Sequence, residues 1–93
     1  MANTKSAKKA MRVATRRARE NRPVRTATRT RVRRAEAAIA ASASSETTDT
    51  AIVRAISALD KAASKHVIHA NGAARRKSRL MKRLNQARRA AQA

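Results

Sequence analysis

The chain has 93 residues, so it forms one domain at most, and it contains neither cysteine nor any aromatic residue. The lack of cysteine excludes a disulfide framework and a thiolate metal site, and the lack of aromatic rings excludes base-stacking platforms. The 24 Lys and Arg residues against five acids give a formal charge of +19. So large a charge of one sign indicates a polyanionic partner, which we interpret as nucleic acid contacted through its phosphates.

The charge is unevenly distributed along the chain. Residues 1–34 carry 13 basic residues and one acid, residues 35–63 carry two basic residues and four acids, and residues 64–93 carry nine basic residues and no acid. In the last segment no carboxylate is available for an i,i+4 pair, so its cations cannot be neutralised within their own helix. We therefore predict two cationic helical segments on either side of a near-neutral centre.

Helix-forming residues dominate the chain, and Gly and Pro occur once each, so we predict an all-helical fold. The apolar stripe of the first helix is continuous only from about Val24 onward. We therefore expect a single domain in which a basic N-terminal arm, residues 1–22, extends beyond a bundle of about residues 23–93. We expect Pro23 to kink one long helix; the alternative is that Pro23 starts a second helix.

The Ser- and Thr-rich run from 42 to 50 predicts a turn, with Ser44 or Thr48 as the N-cap of the second helix. Asn71 is expected to cap the third helix. The core-facing stripes are predicted to be Ile52, Ala55, Ile56, Leu59 and Ala63 in the second helix and Ala73, Leu80, Leu84, Ala87 and Ala91 in the third. This pattern predicts an all-α fold, a three-helix antiparallel bundle with a long, kinked first helix. Because large apolar residues are few, we expect the free protein to be loose and to order on its partner.

Residues for catalysis or metal binding are scarce. His66 and His69 lie three apart, but two histidines with sparse carboxylates cannot complete a coordination sphere, so we predict no metal and no cofactor. No Ser is accompanied by a base and an orienting acid, so we predict that the protein is not an enzyme and has no small-molecule substrate. Glu36 and Asp60 are expected to pair with neighbouring cations. Met11 and Met81 are expected to fill gaps in the core.

Four short stretches carry a family resemblance: MANTKSAKK at 1–9, LDKAA at 59–63, HVIHAN at 66–71 and AARRKSRLMK at 73–82. Together they resemble the small-subunit ribosomal protein twenty family of bacteria and chloroplasts, and the resemblance runs from end to end. It implies a protein of the cytoplasmic ribosome, or of the plastid stroma in a chloroplast. It also implies direct binding to 16S-type ribosomal RNA, with other small-subunit components nearby, and an early role in assembly.

Carried over by position, the resemblance implies RNA contacts along the first helix and in the C-terminal block. The candidates are Asn3, Lys5, Ser6, Lys8, Lys9, Arg12, Arg16, Arg17, Asn21, Arg22, Arg25, Lys61, Lys65, His69, Asn71, Arg75, Arg76, Lys77, Ser78 and Arg79. Two positions depart from the family pattern. Pro23 replaces a helix-compatible residue, and Gly72 replaces a basic residue, which removes one possible phosphate contact.

Two other interpretations of the charge stay open at this point. A nucleoid-type protein that compacts DNA without reading its sequence would need the same cations. A membrane-active cationic helix is less consistent with the sequence, because the apolar face lacks Trp, Phe and dense Leu, and no stretch is long and apolar enough to span a membrane. We therefore expect no membrane partner.

Overall fold

The structure, a computed structural model, describes residues 4–92, which form three helices. These are α1 (Lys5–Ala41), α2 (Glu46–Ser64) and α3 (Ala70–Gln92), and the described residues contain no strand. Short connections make α2 antiparallel to both of its neighbours, so that α1 and α3 run in the same direction. The predicted all-α three-helix bundle is confirmed.

Helix α1 is capped by Thr4, whose hydroxyl accepts a hydrogen bond from the backbone N–H of Ala7 at 3.1 Å. The helix continues through Pro23 to Ala41, so the alternative in which Pro23 starts a second helix is excluded. Pro23 is exposed, as is Arg19, so the carbonyl that loses its helical partner at Arg19 lies on the solvated part of the helix. The kink at Pro23 stays a prediction.

The core lies where the second half of α1 meets the other two helices. Its buried cluster consists of Ala35, Ile39, Ile52, Ala55, Leu80 and Leu84. Leu59 is fully buried beside this cluster. The central positions of the predicted stripes are therefore confirmed, but the roles predicted for Met11 and Met81 are wrong. These side chains are 60% and 37% exposed, because Met11 lies before the bundle begins and Met81 points away from the face that carries Leu80.

The first turn differs from its prediction. Ser45, not Ser44 or Thr48, caps α2, and its hydroxyl accepts a hydrogen bond from the backbone N–H of Thr48 at 3.2 Å. Thr48 is buried instead, with its hydroxyl in hydrogen-bond contact with the backbone carbonyls of Ala38, at 3.1 Å, and Ser42. Thr48 therefore ties the start of α2 to the end of α1 rather than capping its own helix.

Helix α2 ends in a Schellman motif. The N–H of Val67 donates to the carbonyl of Ala62 at 2.9 Å, and the N–H of His66 donates to the carbonyl of Ala63 at 3.0 Å. His66 has a φ of 61°, the left-handed conformation that this position requires and that glycine adopts most easily. Val67 and Ala62 are both buried, which is the apolar contact that accompanies the motif.

Helix α3 is capped by His69, not by the predicted Asn71. The imidazole Nδ1 of His69 accepts a hydrogen bond from the backbone N–H of Asn71 at 3.1 Å, and Asn71 itself lies in the first turn of the helix. The exposed His69 ring therefore performs the role of the short polar side chains that usually cap helices.

The described part of the molecule is elongated, with extents of 65 × 20 × 19 Å. The first buried residue of α1 is Thr28, so more than half of this 37-residue helix precedes the region where it packs firmly on the others. None of the three helices combines the length and the apolar character that crossing a membrane requires, within residues 4–92.

Candidate nucleic-acid interface

Three acids of the bundle form ion pairs with α3. The pairs are Asp60 with Lys77 at 2.7 Å, Glu36 with Arg83 at 3.1 Å, and Asp49 with Arg88 at 2.6 Å. Two of the acids belong to α2 and one to α1, so the pairs join α3 to both other helices. The pairing predicted for Glu36 and Asp60 is confirmed. Because these side chains are partly solvated, each pair contributes about 0–1 kcal/mol to stability and mainly orients the helices.

Two arginines support the connections between helices. The guanidinium of Arg25 donates to the carbonyl of Val67 at 3.3 Å, which attaches the α2–α3 connection to α1. The guanidinium of Arg88 donates to the carbonyl of Ala43 at 3.2 Å, which attaches the α1–α2 connection to α3. These cations therefore have a structural role within the protein.

Most of the remaining cations are exposed and have no acidic partner within residues 4–92. In the arm, the single acid Glu20 lies 4.0 Å from Arg16, with both side chains about two-thirds exposed, so this pair is weak. The other Lys and Arg residues of the described part of the arm form no ion pair in this region. A partner that supplies many negative charges would neutralise them.

The structure distributes the predicted contact residues of α1 around the whole helix. Those that it describes are Lys5, Ser6, Lys8, Lys9, Arg12, Arg16, Arg17, Asn21, Arg22 and Arg25, whereas Asn3 lies outside the described residues. At helical spacing they do not share one face, because positions such as 16 and 22 project in different directions. Apart from half-buried Asn21 and Ser6, whose hydroxyl lies 3.4 Å from that of Thr4, they extend freely into solvent or make the contacts described above.

The C-terminal candidates gather at one end of the bundle. Lys61 and Lys65 lie at the end of α2, and His69 and Asn71 lie at the start of α3. Arg75, Arg76, Lys77, Ser78 and Arg79 follow along α3. There, Arg25, His69 and Arg76 line one depression of about 390 Å³ with Arg29. The fold thus brings three candidates from α1, the connection and α3 together, while Lys77 is already paired with Asp60.

Two further arginines belong to this cationic surface, although the family resemblance does not identify them as RNA contacts. Arg29 and Arg33 lie one helical turn apart on α1 and line a second depression, of about 310 Å³, with Arg76 and Arg79 of α3. Their i,i+4 spacing was visible in the sequence. That they face the third helix depends on the tertiary fold.

No group of three or more His, Asp or Glu side chains within residues 4–92 is close enough to hold a metal ion. The two histidines of the α2–α3 connection instead have backbone roles, His66 in the Schellman motif and His69 in the cap.

The chain resembles known proteins over almost its whole length. A sequence model of the family described as "Ribosomal protein S20" matches residues 2–85. The small ribosomal subunit protein bS20 of Dehalococcoides mccartyi is 49% identical over 87 residues, which cover 94% of this chain and 98% of that protein. The bS20 proteins of Heliobacterium modesticaldum and Thermomicrobium roseum are 47% and 48% identical, over 94% and 91% of this chain and 98% and 85% of their own lengths.

These matches agree with the architecture and the charge. The family model covers all of α1 and α2 and most of α3, and 85–98% of each relative's length is covered. The chain therefore belongs to the ribosomal protein S20 family, whose bacterial members are structural components of the small ribosomal subunit in the cytoplasm.

Proposed function

We propose that the protein binds 16S-type ribosomal RNA directly, through contacts to its phosphate backbone, and stabilises the fold of that RNA during assembly of the small subunit. The observation that carries the proposal is the separation of charge in the fold. Three of the five acids pair with cations of α3, whereas the remaining cations of α3, and those of the arm apart from Arg16, form no ion pair among the described residues.

Arginine suits this task, since its planar guanidinium donates two parallel hydrogen bonds to a phosphate and stays charged at all physiological pH values. A rod of 65 Å with arginines on more than one side of its arm can contact more than one RNA segment at once. In the proposal, the arm, residues 1–22, enters the folded RNA. The bundle, about residues 23–93, anchors the arm at its C-terminal end. The candidate contacts are those derived from the family resemblance, and the protein has no catalytic role.

The test is binding of the intact protein to a 16S-type RNA transcript across a series of salt concentrations. Roughly ten phosphate contacts give a log–log slope of affinity against salt of about −7 to −9, because each contact releases condensed counterions. Duplex DNA added at the same phosphate concentration as the RNA should displace little of the RNA. Equal displacement by duplex DNA would favour the nucleoid interpretation instead.

A second measurement places the protein in the cell. In sucrose gradients of cell extract, the chain should sediment with small subunits and leave them only at high salt. Recovery of the chain in the free protein pool alone would contradict the proposal.

A further inference from the structure

Six arginines form a line that crosses from the arm into the bundle. They are Arg19, Arg22, Arg29 and Arg33 of α1 and Arg76 and Arg79 of α3, called the arginine track below, and all six are exposed. The four on α1 are separated by three, seven and four residues, which are the spacings of positions on one side of an α-helix. The track therefore follows α1 from its projecting part to the place where α3 packs beside it.

Two depressions lie in succession along the track. Arg19, Arg22 and Arg29 line the first, of about 500 Å³, together with the small side chains of Ala18 and Thr26. Arg29 is shared with the next depression, of about 310 Å³, which lies between α1 and α3. Small residues on the floor and long cations on the rims leave room for a ligand that is narrow and anionic.

The second depression combines apolar and cationic side chains. Val32 and the buried Leu80 form its floor, with Arg29 and Arg33 on one rim and Arg76 and Arg79 on the other. Four arginines, two from each helix, thus line one depression at the contact between α1 and α3. This contact is less extensive than the contact between α1 and α2.

Two acids of α1 lie near the track, and each is paired with an arginine outside it. Glu36 lines the second depression itself and is bound to Arg83 at 3.1 Å. Glu20 pairs with Arg16 and, at helical spacing, projects from nearly the opposite side of α1 to Arg22. The arginines of the track therefore form no ion pair of their own among the described residues.

We infer that the arginine track holds a single run of RNA backbone, whose phosphates bridge α1 and α3 and so stabilise the docking of α3. The inference rests on the proposed RNA binding and names the part of the surface that a continuous strand occupies. An RNA backbone fits because it supplies regularly spaced negative charges along a narrow path, whereas a compact anion would fill one depression only. Neutralising the facing guanidinium groups removes their mutual repulsion across the helix contact.

The experiment compares two variants of the full chain with equal charge. The track variant carries Arg22→Gln, Arg29→Gln, Arg33→Gln and Arg79→Gln. The control variant carries Arg31→Gln, Arg34→Gln, Arg54→Gln and Arg89→Gln, four arginines that are exposed, unpaired within residues 4–92 and outside the track. Gln has nearly the helix propensity of Arg, so circular dichroism of both variants should match the wild type.

Affinity for the 16S-type RNA transcript should fall on the order of 100-fold in the track variant, and its salt slope should become shallower by about three. The control variant should lose less than about fivefold, with a slope change of about one or less. Hydrogen exchange of the intact complex adds a second readout, in which RNA slows exchange in residues 76–84 of the control variant but not of the track variant.

The outcomes separate the two proposals. If the wild type does not bind the RNA, the proposed function itself is wrong. If the wild type binds and the two variants lose affinity equally, charge alone determines binding, and the role inferred for the arginine track is wrong. Preferential binding of duplex DNA by the wild type, lost only in the track variant, would overturn RNA as the occupant.

Discussion

The arm and the bundle share helix α1 but differ in what surrounds their charges. In the bundle, Glu36, Asp49 and Asp60 lie next to cations of α3, at 2.6 to 3.1 Å. In the arm, Glu20 is the only acid, and it lies 4.0 Å from Arg16 on the surface of the same helix. Acids are thus concentrated where they can join one helix to another.

The same contrast holds for apolar side chains. Leu59 is completely buried between the helices, whereas Met11 of the arm is 60% exposed. A residue of the arm has no neighbouring helix to pack against, so its side chain contributes little to the free energy of unfolding. The bundle therefore provides the stability of the fold. The arm is a cationic extension of α1, stabilised by the hydrogen bonds within its own helix and, in our proposal, by RNA.

The largest effect is expected from Leu59→Ala, which removes a buried side chain and leaves a cavity. The free energy of unfolding should fall by about 3 kcal/mol. Met11→Ala is the matched control in the arm and should change it by less than about 0.5 kcal/mol. Urea unfolding followed by circular dichroism measures both, and equal losses would contradict the division of the molecule into two regions.

Thr48→Val tests the hydrogen bonds between the buried hydroxyl and the carbonyls of Ala38 and Ser42. The substitution keeps the shape of the side chain but removes the hydroxyl that ties α2 to the end of α1, so we expect a loss of about 1 kcal/mol in unfolding free energy. Thr50 is the control, since its exposed hydroxyl donates to the carbonyl of Glu46 within its own helix. Thr50→Val should cost less than about 0.5 kcal/mol in the same assay.

The two regions also differ in what a helix cap stabilises. His69→Ala removes the cap of α3 and should lower the unfolding free energy by about 1 kcal/mol, while His69→Asn should restore most of it. Thr4→Ala removes the cap of α1, but it should only fray the arm and leave the unfolding midpoint of the bundle unchanged. Loss of stability in the Asn variant equal to that in the Ala variant would show that His69 acts otherwise than as a cap.

The smallest effect is expected for the ion pairs. Asp60→Asn breaks the pair with Lys77 and should cost about 0.5 kcal/mol at low salt, decreasing toward zero at 1 M salt as the charges are screened. Glu20→Gln, which breaks the pair of the arm, should have no measurable effect at either salt concentration. An equal loss of unfolding free energy in both variants would contradict the electrostatic difference between the arm and the bundle.

The sequence was sufficient to predict three helices, the turn near residue 45 and the central core positions such as Leu59 and Leu80, because apolar periodicity is a local property of a helix. It did not predict which hydroxyl caps α2. Several Ser and Thr residues follow one another there, and Thr48 is excluded from capping only because α1 lies within reach of its hydroxyl. The sequence likewise does not indicate that His69 caps α3, since imidazole is an unusual capping group.

The candidate interface was predictable to a similar degree. Charge and the family resemblance identified the cations of the arm and of the C-terminal block. The internal hydrogen bonds of Arg25 and Arg88 were not predictable, because each reaches a carbonyl more than 40 residues away in the chain. The same applies to Lys77, whose pairing with Asp60 depends on the packing of α2 against α3.

The sequence alone is sufficient to predict the helical fold class and the separation of charge along the chain and to indicate a polyanionic partner, since these inferences depend on composition and on spacing within a helix. Only the tertiary structure decided that α1 and α3 lie side by side, because the buried contacts of Ile39, Leu80 and Leu84 select which helix faces meet. That packing brings Arg29 and Arg33 together with Arg76 and Arg79, residues more than 40 positions apart, around one cationic depression.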